Sequence, residues 1–436
     1  MTLRTIAALA LCIAASPTLA FAAAETYRGT IGDQAVVVEF STEAAPGNLD
    51  IFGRYFYADQ GIDIPLHAVP AARTRIGLVE EVPCSEDRNN CPPAQDDPPA
   101  EPPLGARWEL SLSADRKILD GEFELDGRTQ PVHLEFFGSR TFDASAGMAS
   151  FADFATGLFY QGTTLTALTS PYDYLKVTSV DLIQSSPIEL NGATYHYLAD
   201  PRTKFQFPRV VDLNGTDATS ANAALEQRHW MMNLDALYCV AQQYQGFGWD
   251  AYNSDAGTLG WWDEEAIDVQ YLSPTIMSWT ESGSLSCGYA HPDNHHEFHN
   301  LDVGSGQPLD LSRIFADWVA RSFDGKPVDL DVARANPTAF YWGPGEALSA
   351  FVKAHRPSDE KLGFASDEED CRIDELIDTN LAISFKGKDT VLFALGGLPY
   401  AIQACGSDLY EAPIGELVDL LAPDAAAYFP SLRSTP

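Results

Sequence analysis

The first third of the chain alternates between apolar and polar positions. The stretch TYRGTIGDQAVVVEF, from Thr26 to Phe40, changes character at almost every residue and contains a Gly-Asp turn. Later segments up to residue 140 repeat the pattern, with turn residues about every 8–12 positions. Alternation with a period of two is typical of strands that bury one face. The pattern therefore predicts an antiparallel β domain, a meander or a small barrel, over residues 25–140.

One segment interrupts this domain. Residues 83–103 contain seven prolines, and proline has no N–H to donate to a sheet ladder. We therefore predict an exposed Pro-rich loop over 83–103. Residues 141–170, which are low in charge and rich in Ala, Ser, Thr and Gly, predict a linker.

After residue 170 the pattern changes to a mixture of strands and helices. DYLKVTSVDLI (Asp173 to Ile183) and ATYHYLA (Ala193 to Ala199) predict strands. A long helix is predicted from about Ala218 to Tyr244, with Asp217 or Thr219 as its cap. One stripe of this helix suits packing on a sheet, namely Leu225, His229, Met232, Ala236 and Val240.

Three more strands and a hairpin complete the second domain. The hairpin is formed by the segments NLAISFK and TVLFALG. Residues 171–430 are thus predicted to form an α+β domain with helices packed on an antiparallel sheet. The remaining predicted elements are strands at 266–272, 274–287 and 296–303, a helix over Leu309–Ser322, and helices near 344–355 and 414–421.

The first 24 residues have the features of a signal peptide. Arg4 precedes an apolar run from Ile6 to Ala15, a Ser-Pro pair ends the run, and small residues place cleavage after Ala22 or Ala24. No later segment has 18 consecutive apolar residues, so we expect no transmembrane segment after cleavage. These features predict a bacterial protein that is periplasmic or secreted.

Six of the seven cysteines lie beyond the signal peptide. An even number of cysteines in an exported chain predicts disulfides. Proximity favours the pair Cys84–Cys91. For the other four we propose Cys239–Cys287 and Cys371–Cys405, each of which closes a long loop.

The chain is strongly acidic, with 62 Asp+Glu against 27 Lys+Arg and a formal net charge of −35. Hydrophobic residues make up 45% of it, which is enough for a folded core. The charge argues against binding of nucleic acid or an anionic membrane through a broad basic face. It favours a cationic partner.

The segment CGYAHPDNHHEFHNLDVGSGQPLDLSRIF, from Cys287 to Phe315, resembles an exported bacterial domain of unknown function. RsiV-type anti-sigma factors and the PdaC peptidoglycan deacetylase share this domain. Its features are a glycine-rich turn that ends in Ala-His, a strand that ends in Asp, a Ser-Gly turn and a Leu-led helix. The matching residues are Ala290-His291, Asp302, Ser305-Gly306 and Leu309. The resemblance covers roughly residues 170–425, and many relatives carry four cysteines in these places.

The resemblance implies a non-enzymatic, extracytoplasmic binding protein of the bacterial envelope. In the anti-sigma factors the domain binds lysozyme, and in the deacetylase catalysis belongs to a different, metal-dependent domain. Nothing in this chain looks like that catalytic domain. We therefore expect the partner to be a lysozyme-like muramidase or a cell-wall component such as peptidoglycan. One alternative is a cell-wall-acting hydrolase, either with or without a metal. Another is a structural or sensing protein whose N-terminal β domain contacts another envelope protein.

A cluster of histidines is the candidate for metal chemistry. On a helix, His291, His295 and His299 would share one face. Pro292, Asp293 and Asn294 argue for a turn at this place and against a helix. If 296–303 is a strand, as predicted, His295 and His299 point the same way but lie about 13 Å apart. One metal with ligand bonds of about 2 Å cannot span that distance. We therefore predict no metal and no cofactor, and keep these three histidines as candidate ligands.

An aromatic loop is the candidate for ligand recognition. Residues 244–262 place tryptophans and tyrosines among glycines, which suits stacking on a sugar or a hot spot for a protein. The alternative is that these rings fold back onto the sheet. No catalytic motif is present, so no catalytic residue is predicted. The tentative ligand-binding residues are Trp249, Tyr252, Trp261, Trp262 and His291.

Overall fold

The computed structural model describes residues 21–41, 51–72, 74–83, 103–143, 164–247, 261–286, 293–362 and 371–434. An antiparallel barrel of eight strands is followed by four sheets with helices, which confirms the predicted α+β fold class. Within these residues, no helix is both long enough and apolar enough to cross a lipid bilayer. The barrel strands are β1 (Phe21–Ile31), β2 (Gln34–Ser41), β3 (Phe52–Tyr57), β4 (Ile64–Val69), β5 (Ile76–Glu81), β6 (Leu104–Leu112), β7 (Ile118–Leu125) and β8 (Arg128–Asp143).

The barrel closes because β1 pairs with both β2 and β8. Alternate residues of its strands fill the interior, and Tyr55 and Trp108 stack edge to face there with ring centroids 5.0 Å apart. The first and last strands approach closely at Gly29. A Cβ at this position would lie 1.9 Å from the carbonyl oxygen of His133, so glycine is required for the contact.

The second part of the chain contains six helices. They are α1 (Pro171–Thr178), α2 (Thr219–Ala241), α3 (Leu330–Ala335), α4 (Glu346–His355), α5 (Ile373–Asn380) and α6 (Ala425–Tyr428), among the described residues. Short 3-10 helices cover Gln245–Phe247, Leu311–Arg313, Pro337–Ala339, Asp359–Leu362, Tyr400–Cys405, Ile414–Leu420 and Pro430–Ser434.

Four antiparallel sheets lie among these helices. The first contains β9 (Ile183–Gln184), β10 (Ile188–Leu190), β11 (Ala193–Ala199) and β12 (Gln206–Asp212). The second, which we call the central sheet, contains β13 (Trp261–Leu272), β14 (Ile276–Ser286), β15 (Asp293–Asp302) and β16 (Gln307–Pro308). The third contains β17 (Trp318–Arg321), β18 (Pro327–Val328) and β19 (Tyr341–Pro344), and the fourth contains β20 (Leu381–Lys386), β21 (Thr390–Leu395) and β22 (Asp408–Pro413).

The central sheet is covered by apolar cores on both faces. On one face, Val269, Met277 and Leu301 pack with residues of α2, β11 and β12. On the other face, Tyr271 and Ile276 pack with the fourth sheet and with α4 and α5. Alternation along β13–β15 therefore sends successive side chains to different neighbours. This arrangement decides which polar residues of these strands meet.

The predicted strand at Asp173–Ile183 is wrong, because residues 171–178 form helix α1. Pro171 occupies the first turn, where its missing N–H costs nothing. Tyr172 and Leu175 lie on one face of the helix and pack against Val37 and Phe56 of the barrel wall. A short apolar pattern fits both the helical period of about 3.6 residues and the strand period of two. Packing against the barrel surface favours the helix here.

A buried ionic cluster joins the barrel to α1. Arg54 donates to Glu39 at 3.0 Å, to Asp63 at 3.2 Å and to Asp173 at 3.2 Å. Lys176 donates to Asp63 at 2.7 Å. All five side chains are at most 5% exposed. Positive and negative groups alternate in the cluster, so each buried charge has a partner.

The predicted helix over Leu309–Ser322 is also wrong. Only the 3-10 turn Leu311–Arg313 forms, and β17 follows it. Asp310 caps this turn by accepting from the backbone N–H of Ser312 at 3.0 Å. The chain does not continue as a helix after this turn, because Ala316 donates its N–H to the carbonyl of Leu420 in a distant segment.

The predicted linker starts later than residue 141, since β8 runs to Asp143.

A disulfide joins Cys371 and Cys405, the pair proposed from the sequence, with Cα atoms 5.5 Å apart. Cys239 is also disulfide-bonded, and its partner lies outside the described residues. Cys84, Cys91 and Cys287 lie outside them as well. So do residues 1–20 of the predicted signal peptide and most of the Pro-rich loop.

Candidate functional site

Three glutamates lie on one face of the central sheet. They are Glu265 of β13, Glu281 of β14 and Glu297 of β15, and we call them the acidic cluster. Glu281 and Glu297 are directly paired across the two strands. The face is the one that packs on α2 further along, where Val269, Met277 and Leu301 are buried. The cluster thus begins where the apolar core of this face ends.

Glu281 is buried and bound on several sides. Arg228 of α2 donates Nε to Oε1 at 3.1 Å and Nη2 to Oε2 at 2.5 Å. Trp279 donates its indole N–H to Oε1 at 2.9 Å. Burial alone would raise the pKa of Glu281, but His299 and Arg228 outweigh it and lower that pKa. This carboxylate is therefore ionised and fixed in place.

Glu297 is the accessible member of the cluster, because its side chain is 45% exposed. His299 Nε2 lies 3.3 Å from Glu297 Oε2, and Arg228 Nη2 lies 3.9 Å from it. The interaction with His299 is the largest cause that lowers the pKa of Glu297, to about 2. Glu297 therefore keeps its negative charge over the whole physiological range.

Glu265 is held by a histidine two strands away. His295 of β15 places Nε2 3.0 Å from Glu265 Oε2 of β13. Gly283 of β14 lies between them in the sheet, paired with both residues. Adjacent strands are about 4.8 Å apart, so the missing side chain at Gly283 leaves room for the imidazole to cross. Glycine at this position allows the cluster to extend across three strands.

The arrangement suits a cationic group better than acid–base chemistry. The pKa values of Glu281 and Glu297 are both lowered, so neither carboxyl holds a proton to donate near neutral pH. A glycosidase pair needs one carboxyl with a raised pKa. A bound cation instead needs ionised carboxylates with one exposed edge, which Glu297 provides.

A metal ion has part of a ligand set at the same place. The ligand atoms of Glu281, Glu297 and His299 all lie within 4.8 Å of one another. The guanidinium of Arg228, however, already holds both oxygens of Glu281. A divalent cation would have to share that carboxylate with a positive charge. The residue set therefore fits a monovalent organic cation at the exposed edge of Glu297 better than a metal.

The mouth of the barrel holds a second acidic pair beside a cavity of about 630 Å³. Tyr55 donates to Glu80 Oε2 at 2.5 Å, and a backbone N–H donates to Oε1. Glu81 accepts from the N–H of Gly246 at 3.1 Å and contacts His67 Nε2 at 2.5 Å. Burial raises the pKa of Glu80. Because all four oxygens already have partners, we assign this pair to the architecture of the barrel mouth.

Only some of the site residues predicted from the sequence lie among the described residues. Trp249, Tyr252 and His291 lie outside the described residues. Trp261 and Trp262 begin β13, with their backbones paired to Ser286 and Leu285. They therefore sit in a strand and not in a loop.

The predicted histidines occupy one strand. His295 and His299 lie on the same face of β15, four residues apart, and each contacts its own carboxylate partners. His296 points to the other face, where its ring meets Phe298 edge to face at 4.8 Å. The two histidines on the shared face thus act with glutamates and not with each other.

The sequence pattern did not predict Arg228, Glu265 or Glu281 as site residues. The alternation Trp279-x-Glu281 beside Glu297-x-His299 is a usable signal, since both strands were predicted. Arg228 has no such signal, because its contact with Glu281 spans 53 residues and depends on how α2 packs on the sheet.

No protein-family model matches this chain, and no curated protein matches it. Among solved structures, a similar chain is a member of the DUF3298 family from Bacteroides fragilis. The two chains are 14% identical, and the match covers 56% of this chain and 93% of the other with a TM-score of 0.30. At this level of likeness, the geometry of the site carries the functional argument.

Proposed function

We propose that this protein is a non-enzymatic binding protein that takes a cationic group of its partner at the acidic cluster. The observation that carries the proposal is Glu297, a half-exposed carboxylate whose pKa is lowered to about 2. It sits beside the buried, ionised Glu281. Hydrogen bonds from lysine or arginine to such a carboxylate are among the stronger polar contacts in proteins.

The charged contacts around Glu297 are already formed in the free protein. Arg228 holds both oxygens of Glu281 by hydrogen bonds, and the charged groups of Arg228 and His299 lie 3.9 and 3.3 Å from one oxygen of Glu297. A carboxylate held in place loses less side-chain entropy on binding than a mobile one. The net charge of −35 adds long-range attraction for a basic partner and speeds its encounter. Pre-organisation and steering both favour a cationic ligand.

We place the protein in the bacterial envelope, exported by its signal peptide. The partner we propose is a lysozyme-like muramidase, which is a basic protein, with a cell-wall component such as peptidoglycan as the other candidate. The predicted signal peptide and the resemblance to the lysozyme-binding domain support this placement. The disulfide Cys371–Cys405 suits an oxidising compartment.

Retention on immobilised ligand tests the proposal. The mature chain is passed over hen-type lysozyme and over purified peptidoglycan at low salt. We expect retention on lysozyme, elution by salt, and loss of most retention for Glu297→Gln. Glu416→Gln, which removes an exposed glutamate elsewhere, is the control with the same charge and is expected to bind as wild type. Absence of retention on both ligands would refute the proposal.

A cell-wall-acting, metal-dependent hydrolase is the second candidate. The convergence of Glu281, Glu297 and His299 within 4.8 Å favours it. Zinc analysis of the purified chain after dialysis tests it directly. One zinc per chain that is lost in His299→Ala would support the hydrolase. The guanidinium of Arg228 leads us to expect no stoichiometric zinc.

A further inference from the structure

Among the residues that the structure describes, strand β15 forms an open edge of the central sheet. The sheet order is β13-β14-β15-β16, but β16 pairs only with Leu301 and Asp302. The residues before them, from Asp293 to His299, pair with β14 alone among the described residues. Their register with β14 is unbroken, so no bulge interrupts this edge. Regular, unpaired edges are templates for another strand.

The direction of the backbone groups follows from two hydrogen bonds. Val303 donates its N–H to Thr275 beside β14, whereas Asn300 uses its carbonyl to accept from Leu309 on the other side. Backbone groups alternate sides along an antiparallel strand. The N–H and C=O groups of Asn294, His296 and Phe298 therefore point to the open edge. Within the described chain, no hydrogen bond reaches them.

A groove of about 490 Å³ runs beside this edge. One wall is the strand itself, from Asn294 to Glu297. The other wall comes from the end of β21 and the segment after it, and contains Leu395, Gly397, Leu398 and Gln403. Gly396 keeps the wall close, because a Cβ there would lie 2.8 Å from the Phe298 ring. Two of the three residues with outward backbone groups, Asn294 and His296, thus line this groove.

The two sides of the groove differ in chemistry. Glu297 and His295 project from one face of β15, and Glu297 is ionised. The opposite face carries Phe298, next to the segment that contributes Leu395 and Leu398. A strand laid along β15 would therefore present alternate side chains to an acidic side and to an apolar side.

We propose that this edge binds an extended peptide segment of the partner by strand addition, with basic residues alternating with apolar ones. Main-chain hydrogen bonds to Asn294, His296 and Phe298 hold the segment, and alternate side chains set its specificity. Lysine or arginine faces Glu297, and aliphatic residues face Leu398. The inference rests on the proposed function and specifies how the acidic cluster recognises its cationic partner.

The test uses an end-blocked octapeptide, Lys-Val-Lys-Val-Lys-Val-Lys-Val, with the full mature chain. Two versions are N-methylated, one on every valine and one on every lysine, so that charge and side chains are unchanged. In an added strand only one alternate set of amides faces β15. We expect one methylated peptide to bind at least tenfold more weakly than the parent and the other to bind like it. Equal binding of both methylated peptides and the parent would overturn the inference.

A variant of the protein tests the same edge from the other side. His296→Pro removes one outward N–H that no described residue uses, and proline is tolerated at such edge positions. Both His296→Pro and His296→Ala remove the imidazole, but only His296→Ala keeps the outward N–H. We expect His296→Pro to weaken the parent peptide at least tenfold more than His296→Ala does, and equal weakening by the two variants would contradict strand addition. The methylated peptides, measured on wild type, decide the question even if His296→Pro fails to fold.

The outcome also separates this inference from the proposed function. If methylation of either set has no effect while Glu297→Gln abolishes binding, the acidic cluster binds cations without strand addition. If the parent peptide binds equally to wild type and to Glu297→Gln but responds to methylation, the edge binds peptides and the cluster does not. A scrambled peptide, Lys-Lys-Lys-Lys-Val-Val-Val-Val, is expected to bind weakly; binding equal to the parent would contradict strand addition.

Discussion

Glu281 and Glu297 lie directly opposite each other on β14 and β15, with the guanidinium of Arg228 within 3.9 Å of both carboxylates. Like charges in directly opposed positions destabilise a sheet. The stabilising partners are Arg228 from α2 and His299 from β15. An uncharged polar pair at these two positions would destabilise the sheet less. A pair of like charges where an uncharged pair would be more stable is typical of functional sites.

The first prediction concerns Arg228. Arg228→Met leaves Glu281 buried without its guanidinium, and breaking a buried pair costs about 3–5 kcal/mol. Removal of the guanidinium also raises the pKa of Glu281. The loss in free energy of unfolding should therefore be smaller at pH 4.5 than at pH 8. Urea unfolding at the two pH values measures this, and Arg228→Lys should recover part of the loss. A pH-independent loss would contradict the account.

The second prediction concerns the ionic cluster between the barrel and α1. Arg54 donates hydrogen bonds to Glu39, Asp63 and Asp173, and its side chain is 1% exposed. Arg54→Met removes the positive charge that offsets these buried carboxylates. We therefore expect a loss of about 3–5 kcal/mol in the free energy of unfolding.

An exposed ion pair provides the control for Arg54. Lys326 lies 2.5 Å from Asp324, and both side chains are more than half exposed. Such pairs contribute about 1 kcal/mol or less, so Lys326→Met should leave the unfolding midpoint nearly unchanged. Similar losses for the two variants would show that burial of the cluster is not what matters.

The third prediction concerns His229 and acid stability. His229 donates Nε2–H to the carbonyl of Phe205 at 3.1 Å, and Nδ1 accepts from Arg209 at 3.4 Å. Burial, with the nearby charge of Arg209, lowers the pKa of His229 to about 4. Between pH 6.5 and 4 the unfolded chain therefore binds more protons at this residue than the folded chain does.

The stabilisation linked to His229 is complete above about pH 6.5 and falls as the pH decreases toward 4, by about 3 kcal/mol in total. His229→Gln keeps a donor and an acceptor but has no proton to gain. Thermal unfolding against pH should show a shallower acid loss for this variant. Parallel profiles for variant and wild type would contradict the assignment.

Sequence alone could predict the arrangement within the central sheet. Alternation in β14 and β15 places His295, Glu297 and His299 on one face, as observed. The pattern could not predict Arg228 as their partner, since that contact depends on the packing of α2. Distances along one strand are set by backbone geometry, whereas distances between elements are set by the core.

The helix α1 shows the same limit for local structure. Its apolar residues Tyr172 and Leu175 fit a helix or a strand in so short a segment. The helix forms because Asp173 and Lys176 find Arg54 and Asp63 on the barrel wall. These partners lie more than 100 residues away in the sequence, beyond the reach of any local pattern.

The affinity for hen-type lysozyme as a function of salt tests the central claim most directly. Wild type, Glu297→Gln and the equal-charge control Glu416→Gln are compared by a surface-binding assay between low and physiological ionic strength. Loss of a pre-organised charged contact should weaken Glu297→Gln about tenfold and reduce its salt dependence, while Glu416→Gln follows wild type. Indistinguishable affinities for the two variants would contradict a cation site at the acidic cluster.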